Sequence, residues 1–307
     1  MVAPPPTTLT FYGHELDTSP RAFGLMRSSI DLADDVAALR QRLDGDGYLY
    51  LPGYLDRNAV MAARTAICEK LADLGVLDPD HPVGEAICGD ATKLSSMQPL
   101  AEDNPRLEEL LYRGRMVTFY EAVLGGSVRH FDYTWCRSVP PGSGTHPHCD
   151  AVYMGRGTPR LYTSWTPIGD VTLEDGGLIV MEKSHHLTRL RNHYCRNDVD
   201  AFCTNRRDRE GNPKKQDPTF GLLTKNPVRL RETLGLRWLT QDFRAGDLVV
   251  FPIFTVHGGL DNHGRRVRLS TDSRYQLASE PADDRWVSID GKPPREHGEA
   301  GRRDLIC

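Results

Sequence analysis

In the stretch "SSIDLADDVAALRQRLDGDGYLYLPG", Leu32, Val36, Leu39 and Leu43 recur at three- and four-residue steps. That spacing places them on one stripe of an α-helix, which the glycines of "DGDG" stop before a short strand, "YLYLP". "LDRNAVMAARTAICEKLADLG" repeats the pattern, with Asp56 positioned to cap a second helix and Gly75 following its end. "NPRLEELLYRGRMVTFYEAVLGG" predicts a third helix, stopped by Gly125-Gly126. The first ten residues are rich in Pro and Thr, show neither period, and are expected to be irregular.

From about residue 127 the pattern changes to short β-rich runs separated by turns: "SVRHFDYTWCRSV", "THPHCDAVYM", "RLYTSWTPI", "GGLIVMEKS", "DLVVFPIFTVHGG" and "RVRLSTDSRYQLA". Such runs predict a sandwich or barrel. Between about Leu190 and Leu239 the pattern is interrupted by a polar segment rich in Arg, Asn, Asp and Lys, read as a long insertion that is either a lid over the substrate or a disordered or surface segment. The expectation is a single domain over 1–307. A mostly helical layer (1–126) packs on a β core (127–280) that carries the insertion 190–239. The polar stretch after Ser279 carries no motif.

Composition narrows the function more than the fold. Apolar residues are 39% and charged residues 26% of the 307, ordinary for a globular protein. A formal net charge of −4, with no polybasic run, gives no basis for a nucleic-acid or membrane partner and leaves a small molecule as the expected one. The opening "MVAPPPTTLTFYGHEL" has no basic and apolar leader, and no run of about 18 apolar residues occurs, so a cytoplasmic protein, monomer or homodimer, is expected. The seven cysteines are scattered without a CxxC pair and read as free thiols.

The candidate chemistry lies in "GTHPHCDAVYMG". On an extended strand, residues two apart share a face, so His148 and Asp150 can hold one metal ion while Cys149 points away. His146 offers a competing pairing with His148. A third ligand is available in His257, which ends the apolar run "GDLVVFPIFTVHGG". Two imidazoles and one carboxylate form the facial triad of non-haem Fe(II) oxygenases, although the same donors suit a hydrolytic zinc site. Eleven residues after His257, Arg268 alternates with Val267 and Leu269 and shares a face with Ser270. A guanidinium in that position suits a buried carboxylate held by two hydrogen bonds.

Taken together, "HCD", "SWTPIGDVTLEDGGLIVMEKSHH", "GDLVVFPIFTVHGG", "RRVRLSTDSRYQ" and the N-terminal "LDGDGYLYLPGYLD" resemble the phytanoyl-CoA dioxygenase (PhyH-like) family, over about Leu39 to Tyr275. The resemblance implies a mainly β fold with flanking helices around a double-stranded β-helix (jelly-roll, cupin-like) core. It implies Fe(II), 2-oxoglutarate and O2 as cofactor and co-substrates, with succinate and CO2 released. His148, Asp150 and His257 would be the iron ligands and Arg268 would bind the distal carboxylate of 2-oxoglutarate. Trp165 would line the co-substrate pocket with Ser270, and Lys93 would add a polar contact. Related halogenases carry a small residue at the carboxylate position, so the intact Asp150 implies hydroxylation or another oxidation. Tyr153, His146 and His193 are candidates to face substrate. "VMEKSHH" departs from the Pro-Gly-Ser-His run of relatives, which leaves His185 and His186 without an inherited role. A non-catalytic binding protein on the same jelly roll, or a zinc hydrolase, are the alternative readings.

Overall fold

The computed structural model describes residues 8–94, 99–199 and 221–288. A short hairpin, β1 (Thr10–Phe11) and β2 (His14–Glu15), precedes β3 (Phe23–Leu25), α1 (Val36–Asp46), β4 (Leu49–Leu51) and α2 (Arg57–Asp73). Then come α3 (Pro105–Tyr112), α4 (Arg115–Leu124), β5 (Val128–His130), β6 (Trp135–Val139), β7 (Thr145–His148), α5 (Ala151–Met154), β8 (Tyr162–Pro167) and β9 (Leu178–Met181). The chain closes with α6 (Thr188–Asn192), α7 (Pro227–Leu234), β10 (Trp238–Thr240), β11 (Leu248–Pro252), β12 (His257–Gly259) and β13 (Arg268–Leu277).

The helices end where the local chemistry directs. Asp35 accepts from Ala38 N at 3.0 Å to cap α1, and Gly47 closes it with φ +82°. Asp56 caps α2 through Ala59 N at 2.7 Å, as its place in the sequence suggests. The third expected helix is two. Arg113 is extended and Gly114 has φ +50°, ψ −119°, a conformation that breaks the helical ladder between α3 and α4.

Two sheets form the jelly roll. One runs β3-β10-β9-β12-β7, the other β4-β11-β8-β13-β5, with β6 also paired to β13. Only the β3–β10 pairing is parallel among these strands. The N-terminal segment therefore contributes a strand to each sheet, β3 and β4, besides its helices. The run "SVRHFDYTWCRSV" divides into β5 and β6, and the polar insertion is shorter than its composition suggests, because Trp238 and Leu239 belong to β10. Residues 200–220, the centre of that insertion, lie outside the described residues.

The outer face of the six-stranded sheet packs under the helices. Leu269 and Tyr275 of β13 meet Ile67 and Leu71 of α2 and Met116 and Tyr120 of α4 in one buried cluster. Tyr120 and Tyr275 stack at 4.2 Å. β13 is buried on both faces over nearly its whole length, so its other row of side chains must be satisfied inside the roll. The stretch after Ser279, in which no motif was read, joins the core within its described residues: Trp286 is 3% exposed and lies parallel to Phe131.

Candidate metal centre

In the five-stranded sheet β7 and β12 are neighbours, and His148 pairs with His257 across their ladder. Their ring centroids are 4.3 Å apart and both side chains are buried. β7 stops at His148, which corrects the extended-strand reading of "HCD". Asp150 has φ −60°, ψ −24° and starts the short helix α5, so its carboxylate reaches the imidazoles through a turn of the chain. Cys149 does point away, with its thiol toward Phe254 O at 3.4 Å.

Asp150 Oδ1 is 3.8 Å from His148 Nε2 and 3.7 Å from His257 Nε2. Ligands bonded to one ion at about 2.1 Å lie no more than roughly 4.2 Å apart, so both pairs fall within reach of a single metal. The tautomers are set for this. His148 Nδ1 donates to His146 O at 2.8 Å and His257 Nδ1 to Thr255 O at 3.0 Å, leaving both Nε2 lone pairs facing Asp150. Burial, the largest influence on each, depresses both imidazoles below the ordinary histidine value and keeps them neutral. Burial alone would raise the Asp150 carboxyl. Arg274, His257 and His148, together with the Thr163 hydroxyl, outweigh it and hold the group well below the usual carboxylate range. Asp150 Oδ2 accepts from Thr163 Oγ1 at 2.5 Å and from Arg274 Nη2 at 3.1 Å, so one oxygen is fixed by protein and the other faces the imidazoles. Three donors, with no fourth grouped with them among the described residues, suit a first-row metal that keeps open positions.

Arg268 and Ser270 share the inner face of β13, as their alternation indicates. Arg268 Nη1 donates to Ser270 Oγ at 2.6 Å and its Nε to Gly176 O at 3.1 Å. It is 3% exposed, and burial with nearby Arg137 lowers its guanidinium to about 10. A guanidinium so disfavoured in its charged form is in want of an anion. Arg268, Trp165, His148 and His257 border one small buried space of about 20 Å3.

The remaining candidates divide. Tyr153 sits edge-on to His148 at 5.6 Å, and its hydroxyl meets His146 Nε2 at 3.2 Å. His146 is therefore beside the triad with its ring nitrogen engaged, and burial and Arg137 lower it to about 4. Lys93 sits on an exposed turn 4.0 Å from Asp90 and does not border the space around the triad. His193 is exposed at the end of α6, away from that space, while Arg191 stacks its guanidinium 4.4 Å above Phe254. His185 and His186 both donate through Nε2 to Asp44 O at 2.7 Å, which ties the loop after β9 to α1. Lys183 there takes φ +57°, the conformation that a glycine adopts more cheaply.

Sequence reasoning passed over Asp272, Arg274, Arg137 and Thr163. The signal for the first two was present: Arg268, Ser270, Asp272 and Arg274 continue one period-two row along β13. Arg137, opposite Ser270 on β6, donates to Asp272 Oδ2 at 2.8 Å. Thr163 carried no signal, because only the pairing of β8 with β13 brings it opposite Arg274.

The 1-deoxypentalenic acid 11-beta-hydroxylase of Streptomyces exfoliatus is 28% identical over 262 residues, covering 81% of this chain and 83% of its own. The same-named enzyme of Streptomyces arenae is 26% identical over 272 residues, covering 81% and 83%. Among solved structures, the epimerase SnoN in complex with Fe3+, alpha ketoglutarate and nogalamycin RO superposes with a TM-score of 0.54 at 21% identity, over 88% of this chain and 97% of its own. EctD from S. alaskensis in its apoform gives 0.56 at 18% identity, over 94% and 92%, and both likenesses establish the jelly-roll fold. The profile of the phytanoyl-CoA dioxygenase (PhyH) family spans residues 43–270, from within α1 to Ser270 beside Arg268, and the chain belongs to that family.

Proposed function

We propose that His148, Asp150 and His257 hold Fe(II) in this oxygenase, and that Arg268, steadied by Ser270, holds the distal carboxylate of 2-oxoglutarate. One observation carries the reading: a buried triad with both Nε2 atoms aimed at one carboxylate oxygen opens on the same small space as a buried, anion-deficient guanidinium. The enzyme is an Fe(II)- and 2-oxoglutarate-dependent dioxygenase that acts on a small-molecule metabolite, and hydroxylation is the outcome we assign. When bound, iron and 2-oxoglutarate supply an oxidant from O2, with succinate and CO2 as products.

The chain's own residues supply orientation and dryness. The backbone carbonyls of His146 and Thr255 fix the imidazole rings. Thr163 and Arg274 fix the carboxylate. Trp165, 3% exposed against Phe243, closes the co-substrate side to water. Arg268 gives a dianion a charged, two-donor seat at a distance from the triad set by β13. The intact carboxylate of Asp150 favours oxygen insertion over halogenation.

The net charge of −4 without a polybasic run supports a small-molecule substrate over a nucleic-acid partner, and no helix among the described residues is long and apolar enough to cross a membrane. Purified protein mixed anaerobically with Fe(II) and 2-oxoglutarate is expected to give the weak visible band of the chelate, and succinate on admitting O2. A chain that gives neither is not this enzyme. Turnover without O2 on a zinc-loaded chain identifies a hydrolase instead.

A further inference from the structure

Cys149 stands between two metal ligands and turns its thiol away from them, into a part of the core that the proposed chemistry does not use. That thiol faces Phe254 O at 3.4 Å and also meets the thiol of Cys195 in a hydrogen bond. Cys195 comes from the turn Tyr194–Arg196, which packs on α5, and both cysteines belong to one buried cluster. Their access differs. Cys195, 8% exposed, borders a cavity of about 270 Å3 together with Phe254, Arg191 and Arg196, whereas Cys149 is fully buried and does not border it. Guanidiniums beside a partly accessible thiol favour the thiolate, the form that attacks an oxidant. The hydrogen bond from Cys149 and the charge of Arg191 lower the Cys195 thiol below its ordinary value against the opposing effect of burial. A cavity of that volume admits hydrogen peroxide, a molecule little larger than water.

We propose that Cys149 and Cys195 close a reversible disulfide on exposure to hydrogen peroxide, and that the closed form holds iron more weakly. The Cys195 thiolate attacks one peroxide oxygen, the O–O bond breaks, and hydroxide leaves behind a sulfenic acid. The Cys149 sulfur then attacks the sulfenic sulfur and forms the S–S bond. The displaced hydroxyl takes the Cys149 proton and leaves as water, and the proton first lost by Cys195 converts the hydroxide to a second water. Two thiols lose two electrons in all, and one peroxide becomes two waters. A disulfide holds its sulfurs about 2.0 Å apart, closer than two hydrogen-bonded thiols. Closing it draws residue 149 toward the turn, and His148 and Asp150 are joined to that residue on either side. A metal site tolerates ligand displacements of only about 0.5 Å, so the imidazole and the carboxylate lose their common focus. The loss of iron affinity rests on the proposed function, whereas the bond itself does not.

Mass spectrometry and metal titration test both parts without turnover. Metal-free protein is treated with hydrogen peroxide, quenched by alkylation and mapped by its peptides. A linked pair carrying Cys149 and Cys195 is expected, with an intact mass lower by two hydrogens, and dithiothreitol is expected to restore both thiols. Mn(II), titrated calorimetrically in place of iron, is expected to bind the linked chain about tenfold or more weakly than the reduced one, the lower end of what lost ligand orientation costs. C195S is expected to bind Mn(II) as the reduced wild type does and to be indifferent to peroxide. C195A, which puts no hydroxyl into the apolar cluster, is expected to behave alike and covers a folding defect in C195S. No linked pair, a link from Cys195 to another cysteine, or a linked chain that binds Mn(II) as tightly as the reduced one each overturns the proposal. Equal loss of Mn(II) affinity to peroxide in C195A assigns the loss to oxidation elsewhere and overturns it too. A reduced wild type that takes up no Mn(II) removes the triad reading instead, while the disulfide is still scored by mass.

Discussion

Arg274 donates to Asp150 Oδ2 at 3.1 Å, on the side of the carboxylate turned away from the two imidazoles. Its guanidinium is 1% exposed and lies over the Trp135 ring at 4.6 Å, and its Nε and Nη1 have no partner among the described residues. A cation placed there serves to fix one carboxylate oxygen so that the other is presented to a metal. Arg274→Met is therefore expected to weaken iron binding about 10- to 100-fold, in the range of lost orienting contacts at metal sites. Metal titration followed by iron stoichiometry after desalting checks this, and unchanged affinity means that Thr163 alone positions Asp150.

Removing a ligand has a different signature. His148→Ala, Asp150→Ala and His257→Ala are each expected to abolish stoichiometric iron while preserving the circular dichroism of the β core. The triad lies at the end of the strands, and the apolar clusters hold the roll without it. Full iron retained by Asp150→Ala moves the third ligand to His146, the next imidazole along β7.

For the co-substrate, Arg268→Ala is expected to raise the 2-oxoglutarate requirement steeply, since losing a charge-assisted contact to a desolvated carboxylate costs on the order of 2–5 kcal/mol, about 30-fold or more. Succinate release measured against 2-oxoglutarate concentration gives the number. An unchanged requirement assigns the carboxylate to Arg137 or Arg266.

Two residues report on the scaffold. A Cβ at Gly258, next to the ligand His257, would stand 2.6 Å from both Thr145 O and the Phe11 ring. Gly258→Ala is expected to cost about 1–3 kcal/mol, the usual range for overfilling a packed site, and to weaken iron binding as β12 shifts from β7. Denaturant melts with and without metal separate the two effects.

At the other end of the chain, Trp286→Ala is expected to cost about 3–5 kcal/mol, as for other large buried aromatics, in a melt of the metal-free protein. A cost below about 1 kcal/mol, the level of an ordinary surface change, would mean that this segment rests on the core without supporting it.

What could be read from the sequence followed what repeats locally. The stripes of α1 and α2, the cap Asp56 and the face shared by Arg268 and Ser270 are short-range patterns, and a single period suffices for each. The pairing of His148 with His257 joins residues about a hundred positions apart, and only the chemistry of the donor set suggested it. Asp150 was placed near its partners for the wrong geometric reason, because a helical turn and a strand can bring residues two apart to similar positions. Thr163 and Arg137 had no local signature, since their roles arise from the pairing of β8 and β6 with β13. Trp286 was overlooked because its surroundings are polar and the aromatic cluster that receives it comes from distant segments.

β13 sets the helical layer with one row of side chains and the chemistry with the other, so an inserted or deleted residue inside it would exchange the two rows. Leu269 and Tyr275 would then enter the polar centre, and the guanidiniums of Arg268 and Arg274 would be driven beneath the helices. Around this strand, length variation is therefore expected only in the turn before Arg268 and in the chain beyond Leu277. Within the strand, inheritance can replace residues but cannot add or remove one.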